Sequence, residues 1–299
     1  MRVELSTLFH LGDAVRPVES AEIGSGVRIE RLDNDWMSQV REQCPKVKAR
    51  EILELVPPYT HRFVRSLGDV DEPTGRTTGD EKEPFVRATL LSWIVKPTSI
   101  PSDNVWVRSY EVASGVVRHF SNFRIKGHSV VFLTRDERNN TLTDADIARM
   151  TSVWDFYTYI LDDANEPRFR RLVRALKVAM WARSIYFANI GHPIFHSALE
   201  SIIYFGGKEN AAQIRKRLPL LLPSMVTDQQ AEAIYDLHNA LKHEARGMTK
   251  DQFPTFELLQ KCLRALLWRA LEDQSFAEMV CNHELMKQHY AVQTGQGIM

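Results

Sequence analysis

The stretch TDADIARMTSVWDFYTYIL, residues 143–161, decides how the chain is to be read. Thr143, Asp144 and Asp146 form a helix-capping group. Behind that cap, Ile147, Met150, Trp154, Tyr157 and Leu161 return on one face of a helix. Everything downstream keeps this period. Pro167 suits the first turn of a second helix, whose apolar stripe runs Phe169, Leu172, Val173, Leu176, Met180 and Phe187 until Gly191 and Pro193 end it. A third segment carries Phe195, Ala198, Leu199 and Ile202 and stops at Gly206-Gly207. A fourth spans residues 209–222, tightened or broken at Pro219. Thr227-Asp228-Gln229-Gln230 is a capping box for a fifth helix reaching about His243. Phe256, Leu259, Leu263, Leu266, Leu267 and Leu271 mark a sixth, and residues 275–289 suit a last short helix. Helices joined by short loops imply a bundle, and no repeat of solenoid length is present.

Upstream the period is different. Gly26-Val27-Arg28-Ile29-Glu30-Arg31-Leu32 alternates as a strand with one buried face does. Residues 105–112 behave similarly, and His128-Ser129-Val130-Val131-Phe132-Leu133 is another strand candidate. Residues 33–55 read as helix around Pro45, and the acidic stretch 69–84 reads as a surface loop. The expected fold is therefore α+β, with a β-rich N-terminal domain over 1–142 followed by an all-α helical bundle over 143–299.

Composition narrows the functional classes. The chain has 299 residues, 38 Lys plus Arg against 38 Asp plus Glu, and a formal net charge of zero, so any charged ligand must be held by a local patch. Cys44, Cys262 and Cys281 lie far apart without zinc or redox spacing, which suits a reducing cytoplasm. The N-terminal residues lack a signal-peptide core, and the longest apolar run, Ala88 to Val95, is far too short for a membrane span. No G-x-S-x-G elbow or HExxH is present. Gly24-Ser25-Gly26 follows no parallel strand and opens no helix, so it does not form a phosphate loop.

Four signatures stand in order in the helical part: the long helix from Arg168 to Phe187, Ala198-Leu199-Glu200, Ile214-Arg215-Lys216-Arg217-Leu218, and the helix Ile234-Tyr235-Asp236-Leu237-His238-Asn239-Ala240-Leu241-Lys242-His243. This order and spacing, over roughly residues 169–271, resembles the Apea-like HEPN family. The resemblance implies a metal-independent endoribonuclease, acting on RNA in a defence or toxin-like setting, without cofactor, with its site often completed across a homodimer. One position departs from the motif. His238 stands where the family carries arginine, while Asn239 and His243 match. The alternative is therefore a degenerate module that binds RNA or a protein partner.

The chemistry at stake is attack of a ribose 2′-hydroxyl on the adjacent phosphate. It needs a proton acceptor, a proton donor and a cation; histidine suits the first two roles, and arginine, always charged and forked, suits the last. Asn239 and His243 share a helix face, whereas His238 lies roughly 140° around the helix from His243. His238 also continues the apolar line Ala231, Ile234, Tyr235, so it reads either as a second acid/base and phosphate ligand or as a packed core histidine. His243, near a helix C-terminus that favours its charged form, reads either as catalytic or as a helix cap.

The candidate catalytic residues are thus His243, Asn239 and His238, and the candidate phosphate ligands Arg170, Arg171, Arg174, Arg215, Lys216, Arg217, Lys242 and Arg246. With Arg168, Lys177 and Arg183 these cations form either a phosphate-tracking surface or a solvated outer face. His192 and His196 have i, i+4 spacing but no evident third ligand, so no metal is expected there. Trp154, Trp181 and Trp268 sit at core spacings, and Cys262 falls on an apolar stripe.

Overall fold

The structure is a computed structural model and describes residues 2–9, 20–32, 36, 38, 42, 61–69, 83–97, 104–114, 117–124, 142–185, 187–203, 210–243 and 247–294. It has the α+β architecture expected, with strands in the N-terminal part and helices in the C-terminal part. Two compact units divide between Trp154 and Asp155. The boundary expected at Thr143 lies at the cap of the helix within which this division falls.

The first unit holds strands β1 (Arg2–Phe9), β2 (Ser20–Gly24), β3 (Val27–Arg31), β4 (His61–Asp69), β5 (Asn104–Tyr110) and β6 (Val117–Arg124), and helix α1 (Glu83–Val95). The strands form one sheet in the order β2-β3-β4-β1-β5-β6, and every neighbouring pair is antiparallel. Ile23, Val27, Ile29, Phe63, Trp106 and Val107 are buried, as is most of α1. The strands expected at 26–32 and 105–112 are β3 and β5. The strand expected at 128–133 and most of the helix at 33–55 and the loop at 69–84 lie outside the described residues.

A chain of alternating charge crosses the middle of the sheet. Arg28 pairs with Glu30 at 2.8 Å, and Arg62 reaches Glu30 at 3.0 Å and Glu4 at 2.6 Å. Arg108 reaches the other oxygen of Glu4 at 3.1 Å. Arg62 and Glu4 are both buried, which is tolerable because each charge meets an opposite one with direct hydrogen bonds. Arg62 also lies over the ring of Trp36, itself edge-on to Trp106.

Gly24-Ser25-Gly26 is the turn joining β2 to β3, an antiparallel hairpin. All three residues have positive φ: 150° at Gly24, 51° at Ser25 and 73° at Gly26. Ser25 accepts a hydrogen bond from the Trp154 indole at 2.9 Å, and a Cβ on Gly24 would run into that ring. Trp154 stands on α2 (Asp144–Leu161). The expected cap of α2 is formed: Thr143 N–H donates to Asp146 at 2.9 Å, and Asp146 N–H donates to the Thr143 hydroxyl at 3.2 Å. Burial alone would raise the Asp146 carboxyl, but the Thr143 hydrogen bonds and Lys96 at 3.3 Å hold it below its ordinary value.

The second unit continues with α3 (Glu166–Arg183), α4 (Ala188–Ile203), α5 (Asn210–Leu221), α6 (Asp228–His243), α7 (Phe253–Glu272), α8 (Gln274–Cys281) and α9 (His283–Thr294). Pro167 sits in the first turn of α3, and the Thr227–Gln230 capping box opens α6. Phe256, Leu259, Leu263, Leu266, Leu267 and Leu271 of α7 are buried, and so is Cys262.

Four expectations are corrected. α3 ends at Arg183, where the Ser184 and Ile185 N–H groups turn back onto Trp181 and Ala182, so Phe187 is exposed and outside the stripe. Gly191 and Pro193 end nothing; both lie inside α4, which runs through Pro193 in its second turn. Trp181, expected in the core, is 57% exposed. The single short helix expected over 275–289 is two helices, α8 and α9, broken at Asn282, whose side-chain oxygen accepts from Glu284 N–H and Leu285 N–H.

The hairpin yields a paired test. Gly26→Ala meets no neighbour and should cost about 1 kcal/mol for its left-handed backbone. Gly24→Ala carries a backbone penalty and a collision with Trp154, and should cost about 3 kcal/mol. Urea unfolding midpoints measure both; equal losses would contradict the packing of Trp154 on the turn.

Candidate functional site

α4 and α6 pack together, and the polar residues between them define the site. His192, His196 and Glu200 recur every fourth residue, so one stripe of α4 carries two imidazoles and a carboxylate. α6 turns Ala231, Ile234, Leu237 and Leu241 inward, with His238 among them. The His238 ring lies flat against His196, with centroids 3.9 Å apart and planes 15° apart. His192 follows at 6.4 Å and 20° from His196, and the Phe256 ring of α7 stands 5.7 Å from His192. Tyr235 completes the aromatic surround, 6.0 Å from His196 and 6.4 Å from His238.

The rings are sealed from solvent. His192 and His196 are 0% exposed and His238 is 6% exposed. Among the described residues neither ring nitrogen of His192 or of His196 has a hydrogen-bond partner. Burial, with His238 close by, pushes the His192 imidazole down to about 3 and His196 well below its ordinary value. The His196 Nδ1 to Glu200 Oε1 distance of 3.7 Å is therefore no ion pair at neutral pH, and it is too long for a hydrogen bond. Burial pushes the Glu200 carboxyl up, opposed by Lys242 of α6 and Arg174 of α3. Around Glu200, then, the structure gathers one residue from each of three helices.

The candidate residues are placed unequally. His238 is in the stack, away from solvent. Asn239 is half-buried one position further round α6, and Lys242 is exposed. The His243 side chain and Arg246 lie outside the described residues. Arg170, Arg174, Lys216 and Arg215 are exposed, with Arg215 paired to Glu232 at 3.2 Å. Arg171 and Arg217 are committed to the end of α4. Arg171 Nε donates to the Ser201 carbonyl at 2.9 Å, and Arg217 donates to Ile203 and Gln213 while lying 5.0 Å over the Tyr290 ring. Arg168 pairs with Glu278, Lys177 with Glu166, and Arg183 is buried. The basic helix is thus largely a set of structural contacts.

His192 and His196, spaced like metal ligands, are stacked side by side; among the described residues no group of three His, Cys, Asp or Glu is arranged to hold a metal ion. Cys262, buried, is pushed up to about 12 and is inert at neutral pH. No described helix is long and apolar enough to cross a membrane. Sequence reasoning missed the stack and the position of Glu200 beside it. The available signal was the 192, 196, 200 stripe. Compared with protein-family models, curated proteins and solved structures, the chain finds no match.

The stack makes stability pH-dependent. His192 takes up a proton near its ordinary pKa of about 6.5 when unfolded but only near 3 when folded. Its contribution is whole above the unfolded pKa and is lost as pH falls toward the folded one. At pH 5 the loss is about 2 kcal/mol from this group alone. In urea unfolding, His192→Leu should lose correspondingly less stability between pH 7.5 and 5 than the parent; an unchanged loss would show that His192 is not held neutral.

Proposed function

We propose that the helical part of this chain is a HEPN-like module that binds RNA without cutting it. The family reading rests on the ordered signatures of the sequence. The absence of turnover rests on one observation, the burial of His238 against His196 at the motif position that should present a cation. A phosphate in that chemistry needs a permanent, accessible positive charge, because stabilisation of the developing charge is the largest part of such catalysis. A sealed imidazole offers none.

What remains for a phosphate backbone is the exposed set Lys242, Arg174, Arg170 and Lys216, with Asn239 beside Lys242 on α6. Lys242 and Arg174 both act on Glu200, which supports a common surface. Contacts of this kind read the backbone and not the bases, so the binding is weakly sequence-specific and falls steeply with salt. Assembly as a homodimer through the helical part belongs to the same reading.

Fluorescence anisotropy with labelled single-stranded RNA in EDTA tests this. Binding should weaken with added salt, and Arg174→Glu with Lys242→Glu should weaken it by about tenfold or more. No cyclic-phosphate ends should form. RNA cleavage in EDTA that His243→Ala abolishes would replace this reading with the endoribonuclease. A folded protein that neither binds nor cuts RNA would remove both, leaving a module for a protein partner.

A further inference from the structure

We propose that His192, His196 and His238 form a proton-operated latch that holds α6 on α4. Three imidazoles lie in a file across the helix contact, the central pair face to face at 3.9 Å. Two of the rings have no exposure, and their nitrogens have no hydrogen-bond partner among the described residues. Such an arrangement is stable only while the rings are uncharged. It has polar atoms that water or a proton would satisfy, and apolar packing would have sealed the same contact without them.

The charges around the stack do not rescue a protonated ring in place. On α4 itself Glu200 stands at the edge, 3.7 Å from His196. Against it, Lys242 of α6 repels a charge on His196, and Arg174 of α3 already acts on the same carboxylate. Tyr235 of α6 and Phe256 of α7 present aromatic rings. Among the described residues, no charge of α5 or α8, which also pack on α4, acts on His192 or His196. A proton arriving on the stack therefore separates the helices. That movement carries Asn239 and Lys242 with it, whether or not RNA is their ligand.

The opening is local because the two contacts differ in depth. α7 buries Phe256, Leu259, Leu263, Leu266, Leu267 and Leu271 in the bundle, whereas α6 has only Ile234, Leu237 and Leu241 as large buried aliphatics. His192 and His196, released to water, each regain their ordinary affinity for a proton, which multiplies the open population by about tenfold apiece at pH 5.5.

Hydrogen exchange of the full chain, followed by mass spectrometry at pH 7.5 and 5.5 and corrected for intrinsic rates, tests the latch. Exchange should rise by about tenfold or more in Ala188–Ile203 and Asp228–His243, while Phe253–Glu272 stays protected. His196→Phe keeps a stacking ring that takes no proton, and should cut that rise by about tenfold; His196→Leu serves if the phenyl ring does not fit. An unchanged pattern down to pH 5.5 would overturn the latch. So would loss of protection in all three segments together, or the full rise persisting in the His196 variants.

Discussion

An imidazole shut away from water can stay there only as the neutral base, and the contact between α4 and α6 is built on that condition. His196 and His238 occupy space that an apolar bundle would give to leucine, and they pack as flat rings, with His196 held neutral by burial. Everything near them is consistent with neutrality. Phe256 and Tyr235 supply aromatic neighbours, while the ionised groups Glu200, Lys242 and Arg174 gather at the edge. The site thus has a neutral interior and a charged rim, and only the rim can meet a polyanion.

The two units treat charge in different ways, although the whole chain carries none in sum. In the sheet, charge is matched, and buried at Arg62 and Glu4, with Arg28, Glu30, Arg62, Glu4 and Arg108 alternating across four strands. Removing Arg62 would leave the buried Glu4 only Arg108, and removing Glu4 would leave the buried Arg62 only Glu30, so either loss halves the compensation of an interior charge. In the helical unit, cations are spent on helix ends and partners: Arg171 on Ser201, Arg217 on Ile203, Arg168 on Glu278. A count of basic residues in the sequence therefore overstates the surface open to phosphate.

Where burial followed a single period, the fold was legible in the sequence. β3 alternates cleanly, and the helices from α2 onward carry stripes and caps that set their starts. β1 and β4 did not stand out, because Glu4 and Arg62 are charged residues turned inward and spoil the alternation. α1 showed no period for the opposite reason: it is buried on nearly all sides, so no polar face marks it as a helix. The α3–α4 boundary was misread because Pro193 looked like a terminator, whereas α4 runs through it and α3 had already ended at Arg183. At the site, the apolar line of α6 already pointed to a packed His238. Its partner could not be foreseen, since stacking across two helices depends on a tertiary pairing that no local spacing encodes.

That pairing also decides what position 238 can hold. A guanidinium stays charged, so an arginine at position 238 would carry a fixed charge into a seam closed to water beside His196. It would need a carboxylate or open water, and Glu200, already opposed to two cations, stands at the edge beside His196. Histidine at 238 is thus matched to histidine at 196, whose ring burial holds uncharged. A His238→Arg change alone would leave the new charge facing His196 and His192, both held neutral by burial, so the chemistry of position 238 is set by α4 as much as by α6.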